Sequence, residues 1–191
     1  MSIAAISAYP PPLTFQKLPD DPIGLPLAPI LQKEVFMTLG DVLKKERNRK
    51  KLTAEDVAAG MGLSVNAYAE LEEAASPIEE WGPKLAQIAI KLSTPTSRLI
   101  SETGKSAQAK EVEGQCGKLI KKHREKRELG REALAAELGW PLEEFVSVED
   151  GNSPLEQYAP LLLRFAEIID QPIFNLFYPC GLPFAELKDY P

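Results

Sequence analysis

Histidine and cysteine are nearly missing from this chain of 191 residues, which holds one histidine, His123, and two cysteines, Cys116 and Cys180. These three residues provide no metal-ligand spacing, so no metal site is expected. Two thiols in non-equivalent places fit a reducing compartment, where they serve as small buried apolar groups. Long apolar runs are absent as well: none approaches the ~18 residues of a membrane-spanning helix, and no membrane association is expected. No segment alternates well enough to make a strand. The chain also lacks a nucleophile–base pair, a phosphate loop and a dinucleotide fingerprint, so neither an enzyme nor a cofactor is expected. Its first residues, Met1-Ser2-Ile3-Ala4-Ala5-Ile6, have no basic run and no sustained apolar stretch. A secretory leader is therefore not expected, and the expected location is the cytoplasm.

Proline is plentiful but unevenly placed. Seven of the seventeen prolines fall in residues 1–37, removing amide donors and favouring extended backbone. This stretch reads as an arm, and its many apolar residues suit packing on its own chain or on a partner. Net charge is −6, which argues against indiscriminate attraction to polyphosphate. Residues 38–100 balance nine basic against nine acidic residues, whereas 115–191 set nine against thirteen. Of the two halves, the first is the better candidate for contact with nucleic acid.

The strongest signal is a repeat. Leu39 to Ile100 lies over Cys116 to Phe177 without a gap, at a constant offset of 77 residues. Shared positions include Gly40/Gly117, Lys44/Lys121, Arg47/Arg124, Ala58/Ala135, Gly62/Gly139, Glu72/Glu149, Pro77/Pro154 and Leu85/Leu162. Two copies of one small helical domain explain this most simply, dividing the chain into an arm (1–37), a first domain (38–100), a linker (101–114) and a second domain with an aromatic tail (115–191). Apolar spacing and capping residues predict five helices in the first copy. They run over about 38–51, from the cap Thr53, from the cap Ser64 to about 73, over 81–92, and from Pro95. The second copy predicts helices over about 115–128, 131–137, 141–149, 157–169 and 171–177.

A helix ending near Ala59, a tight turn through Gly62 and a short helix from Ser64 make the arrangement of a helix-turn-helix. In the residues Leu39-Gly40, Leu43, Arg47, Leu52-Thr53, Val57-Ala58, Gly62-Leu63-Ser64, Leu71-Glu72, Leu85, Ile88, Ala89 and Leu92, the first copy resembles the Cro/CI-type (Xre-type) family. The second copy matches through Gly117, Ile120, Arg124, Leu129, Leu134-Ala135, Leu138-Gly139, Val148-Glu149, Leu162, Phe165 and Ala166. The resemblance implies an all-α fold of two lambda-repressor-like five-helix domains in tandem. It also implies a structural ion pair in each copy between helix one and the end of helix three, Arg47 with Glu72 and Arg124 with Glu149.

Where this family grips a phosphate with a glutamine at the start of helix two, the chain has Ala54 and Arg131. The exposed face of helix three offers Ser64, Val65, Asn66, Ala67 and Glu70 in the first copy and Pro141, Leu142, Glu143, Glu144 and Ser147 in the second. Neither set contains Arg, Lys or Gln, and arginine to guanine is the commonest specific contact in the major groove. The basic residues lie on helix one instead, as Lys44, Lys45, Arg49, Lys50 and Lys51, and as Lys118, Lys121, Lys122, Lys126 and Arg127. Such a ridge suits a nucleic-acid backbone or, alternatively, a solvated face balanced by neighbouring glutamates. His123 lies within it and reads as an exposed surface group. Aromatic and apolar residues crowd the end of the chain from Phe174 to Tyr190, reading as closure of the second core or as a partner patch.

The leading expectation is a transcriptional regulator that uses its tandem copies as a pseudo-dimer on double-stranded DNA. Lys44, Lys45, Arg49 and Lys50 would touch phosphate and Ser64, Val65, Asn66 and Ala67 would enter the groove, with further backbone contacts from Lys118, Lys121, Lys122 and Arg131. The alternative is a protein-interaction scaffold that has lost base readout and docks a partner through the arm, the aromatic tail or the acidic third helices. The sequence leaves the oligomeric state open.

Overall fold

The computed structural model describes residues 36–108 and 114–182. The expected packing of the arm over 1–35, and that of Phe184, Leu187 and Tyr190 in the tail, lies outside the described residues. Among those described, nine α-helices follow in order and there is no strand: α1 (Leu39–Arg49), α2 (Ala54–Met61), α3 (Val65–Glu72), α4 (Ile78–Lys91), α5 (Thr96–Ile100), α6 (Gln115–Glu125), α7 (Arg131–Leu138), α8 (Leu142–Glu149) and α9 (Leu155–Ile168). The 77-residue offset carries over into structure, since α7, α8 and α9 reproduce α2, α3 and α4 residue for residue.

Local chemistry sets most of these limits. Thr38, Thr53 and Ser64 precede α1, α2 and α3 in extended conformation, and their hydroxyls accept from the amides of Asp41, Asp56 and Ala67. Each satisfies a donor that the first helical turn leaves without a partner. Asp56 returns a bond from the Thr53 amide, closing a reciprocal cap. α2 and α7 stop at Gly62 and Gly139, with φ of 74° and 71°, left-handed values that glycine adopts without a Cβ clash.

Other limits differ from the sequence expectation. α1 ends at Arg49 and α6 at Glu125, short of 51 and 128, because Lys51 and Glu128 both turn to φ 57°. α4 and α9 begin at Ile78 and Leu155, ahead of the expected 81 and 157. Pro77 and Pro154 hold helical backbone at the helix start, where a proline's missing amide costs nothing. The helix expected over 171–177 is a tighter 3-10 turn, Ile173–Leu176, followed by another at Tyr178–Cys180.

Within each copy the first helix lies directly on the end of the third, and only glycine permits this closeness. A Cβ on Gly40 would stand 2.6 Å from the Leu71 carbonyl oxygen and 2.8 Å from that of Glu72; Gly117 meets the backbone of Val148 and Glu149 in the same way. A second repeated device orients that helix. The Glu79 carboxylate on α4 accepts from the amides of Leu39 and Gly40 at the start of α1, and Glu156 on α9 accepts from those of Cys116 and Gly117. A negative charge there complements the helix dipole.

The described residues belong to one compact unit, and buried side chains of both copies join a single hydrophobic cluster. α4 packs on α9, and each also packs on the second helix of the other copy, α9 on α2 and α4 on α7. These exchanges are reciprocal, as in a two-fold dimer interface. The aromatic tail completes the arrangement: Phe174, Leu176 and Phe177 are buried, and Phe177 crosses α4 where Gly82 leaves room, its ring 3.3 Å from the place a Cβ would take. Phe177 therefore closes onto the first copy as well as the second.

Two substitutions test this account. Ala74 holds φ 55° where the second copy has Gly151, so Ala74→Gly is expected to raise stability by ~1 kcal/mol by relieving left-handed strain. Gly40→Ala is expected to lower it by ~1–3 kcal/mol by forcing α1 off the α3 carbonyls. Urea denaturation followed by circular dichroism measures both.

Candidate nucleic-acid interface

The ion pairs that the family resemblance implied are present and anchor both copies. In the first, Arg47 donates to Glu72 through Nε at 2.6 Å and through its terminal nitrogen at 2.9 Å, and to the Leu52 carbonyl at 3.1 Å. The Tyr68 hydroxyl donates to the same carboxylate at 2.8 Å. In the second, Arg124 bonds Glu149 at 2.5 and 3.1 Å and the Leu129 carbonyl at 2.6 Å. Phe145 stands there in place of Tyr68 and has no hydroxyl. Arg131 supplies the missing donor, with its Nε 2.6 Å from Glu149. Glu149 is completely covered, whereas the Glu72 side chain is 10% exposed.

Electrostatics follow from this geometry. Burial pushes the Glu72 carboxyl up, but hydrogen bonds from Arg47 and Tyr68, with the field of Lys44, outweigh it and hold the group below its ordinary value of 4.5. Its hydrogen bond to Glu72 raises Arg47 in turn. Burial, followed by the bond to Glu72, drives the Tyr68 phenol far above its usual range.

The residues expected to meet DNA fall into different situations. Lys44 and Lys45 are exposed on α1, and Lys50, just past its end, is half-buried. Arg49 pairs with Glu46 at 2.6 Å. At the start of α3 the exposed Ser64 hydroxyl caps the helix and Ala67 is half-buried, while Val65, 41% exposed, and Asn66 point outward. In the second copy Lys118 and Lys121 are exposed, but Lys122 is paired with Glu102 at 2.8 Å. Arg131 is engaged with Glu149 and, at 3.4 Å, with Asp150.

Nor is the second ridge uniformly outward. α6 lies against α5, Gln115 donates to the Ile100 carbonyl at 3.0 Å, and Arg127 donates to the Ser93 carbonyl at 2.9 Å. His123 is half-buried rather than exposed, with Nδ1 3.5 Å from the Thr94 hydroxyl. Burial, reinforced by Lys122 and Lys126, lowers its pKa. α6 thus spends part of its basic face on docking to the first copy, a use that helix periodicity does not reveal.

One cluster had no precedent in the sequence reading. Lys84 of α4 binds Glu80 and, across the copies, Glu144 at the start of α8. Its ammonium lies 4.4 Å from the Trp81 ring centre and 5.3 Å from that of Trp140, a cation–π arrangement. Burial works against the charged amine, but the bonds to Glu144 and Glu80 prevail and raise its pKa. The repeat pattern conceals Lys84 because its counterpart is Leu161. Arg164 of α9, counterpart of Gln87, bonds the Met61 carbonyl at 2.6 Å and so holds the turn between α2 and α3. Glu79 and Glu156 were also missed, although their 77-residue separation was a usable signal.

Cys116 is buried and Cys180 half-buried, with burial pushing the Cys180 thiol up to about 12. Among the described residues no cluster of His, Cys, Asp and Glu has the makings of a metal site, and no helix is long and apolar enough to cross a membrane. Compared with protein-family models, curated proteins and solved structures, the chain matches none of them.

Removing a carboxylate measures the weight of each junction. Glu149→Ala strands two arginines and is expected to cost ~3–5 kcal/mol, more than Glu72→Ala, in urea unfolding. The depressed Glu72 carboxyl contributes stability that is present above its unfolded value of 4.5 and lost as pH falls through its lower folded value. The stability difference between wild type and Glu72→Gln should therefore shrink between ~pH 7 and ~pH 3.

Proposed function

We propose that this chain is a DNA-binding transcriptional regulator built from two tandem Xre-type helix-turn-helix domains, in which the first copy meets the duplex and the second acts as its fixed intramolecular partner. The observation that carries this reading is a difference in chemistry at equivalent exposed positions: Asn66 of α3 answers to the carboxylate Glu143 of α8, and Lys45 to Lys122, which is paired with Glu102. In the second copy Glu144 is held by Lys84, Arg131 by Glu149 and Asp150, and Lys122 by Glu102. In the first, Lys44 and Lys45 on α1 and Val65 and Asn66 on α3 have exposed side chains. Lysines of this kind hold phosphate and release counterions, whereas the start of a recognition helix reads base edges. The reciprocal packing of α4 on α9 supplies in one chain the rigid pairing that other regulators obtain by dimerising.

A second reading is favoured by the acidic character of both third helices. Glu70 and Glu73 are exposed in the first copy and Glu143 in the second, beside Leu142 at 40% exposure. On that reading the chain is a non-enzymatic scaffold that docks a protein partner.

Fluorescence anisotropy of the purified protein with random-sequence duplex DNA separates the two. On the regulator reading, affinity is micromolar or tighter near ~50 mM salt and falls steeply by ~200 mM. Lys44→Glu with Lys45→Glu should weaken binding to all sequences and flatten the salt slope by about 2. Absence of binding at the lower salt would favour the scaffold.

A further inference from the structure

Resting on the regulator reading above, we infer that the first copy prefers adenine–thymine pairs, which it reads through Asn66 and Val65.

Four side chains begin α3, and two of them discriminate little between bases, since a serine hydroxyl both donates and accepts and serves any base edge. The Ser64 hydroxyl accepts from the Ala67 amide, and Ala67 is half-buried with only a methyl group to offer. Asn66 and Val65 remain, both exposed and adjacent in the chain. Tyr68 and Leu71 are buried and define the inner side of α3, so at 100° per residue Asn66 lies close to the opposite, outward side.

Each outward group has a defined complement in the major groove. A carboxamide supplies one donor and one acceptor and fits the N7 and N6 edge of adenine in a paired contact. The valine methyls match the C5-methyl of thymine, which only an A·T pair presents. Guanine shows two acceptors, N7 and O6, and calls for a two-donor group such as arginine. Neither α3 nor its capping residue contains Arg or Lys. Two carboxylates share the outward side, Glu73 at the end of α3 and, nearer the start, Glu70, exposed one turn after Asn66. A carboxylate accepts only, so it adds no guanine contact and repels phosphate. It lowers overall affinity, and its one major-groove complement in a G·C pair, the cytosine N4 donor, works against the A·T preference set by Asn66 and Val65.

The test alters the DNA rather than the protein, so folding of variants does not decide it. Anisotropy titrations compare random duplexes made only of A·T pairs with duplexes made only of G·C pairs, at one low salt concentration. The A·T pool is also prepared with 7-deazaadenine, which lacks the N7 acceptor, and with uracil, which lacks the methyl group. Wild type should prefer the A·T pool by about tenfold or more, and should lose about fivefold or more on 7-deazaadenine and a few-fold on uracil. Asn66→Ala should bind adenine and 7-deazaadenine pools alike, and Val65→Ala should bind thymine and uracil pools alike. Glu70→Gln should tighten binding to every pool while keeping the A·T preference. Binding that is equal on A·T and G·C pools, or indifferent to both base analogues in wild type, overturns the inference while leaving the regulator reading standing. Absence of binding to any pool overturns both.

Discussion

The junction between the first and third helices of each copy carries the rest of the structure. A short third helix such as α3 or α8 has too little surface to fix its own direction. Here it is clamped at its end by a forked arginine–carboxylate bridge, Arg47 with Glu72 or Arg124 with Glu149. The same end is pressed against a helix whose glycine allows backbone to meet backbone. Paired geometry of this kind constrains direction as well as distance. Glu79 and Glu156 extend the constraint by tying the fourth helix to the start of the first. Three helices are thereby locked around each turn before the two copies are considered together.

The copies solve the same electrostatic problem with different residues. A carboxylate in this position needs more donors than one arginine offers. The first copy adds the Tyr68 hydroxyl, and the second, with Phe145 in that place, adds Arg131. The exchange has a consequence beyond stability. At the start of its second helix, where the first copy has Ala54, the second copy carries an arginine whose charge is already committed to Glu149. Together with Lys84 holding Glu144, this directs the chemistry of the second copy inward, toward the first.

Joining the copies consumes surface that periodicity alone would assign to solvent. The Lys84 ammonium lies among Trp81, Trp140, Glu80 and Glu144, where aromatic faces and two carboxylates offset the burial of its charge. His123, Arg127 and Gln115 dock α6 on the first copy, and Phe177 of the tail reaches α4. The outcome is one core shared by both repeats, with the Lys44 and Lys45 side of α1 and the start of α3 left facing solvent.

By itself the sequence determined the helices and the junctions within each copy. Thr53, Ser64 and Gly62 act on neighbours a few residues away, so these limits are written locally, while the pairing of Arg47 with Glu72 and of Arg124 with Glu149 was expected from the family resemblance of both copies. Only the tertiary structure decided which equivalent positions remained equivalent. Lys84 and Arg164 face the other copy, yet their counterparts are Leu161 and Gln87, so neither repetition nor periodicity marks them. The exposed look of His123 and the availability of Arg131 also depended on contacts 29 and 18 residues away in the chain. Long-range pairing of this kind is set by how whole helices pack, and a one-dimensional pattern of charge and hydrophobicity does not encode which partner will arrive.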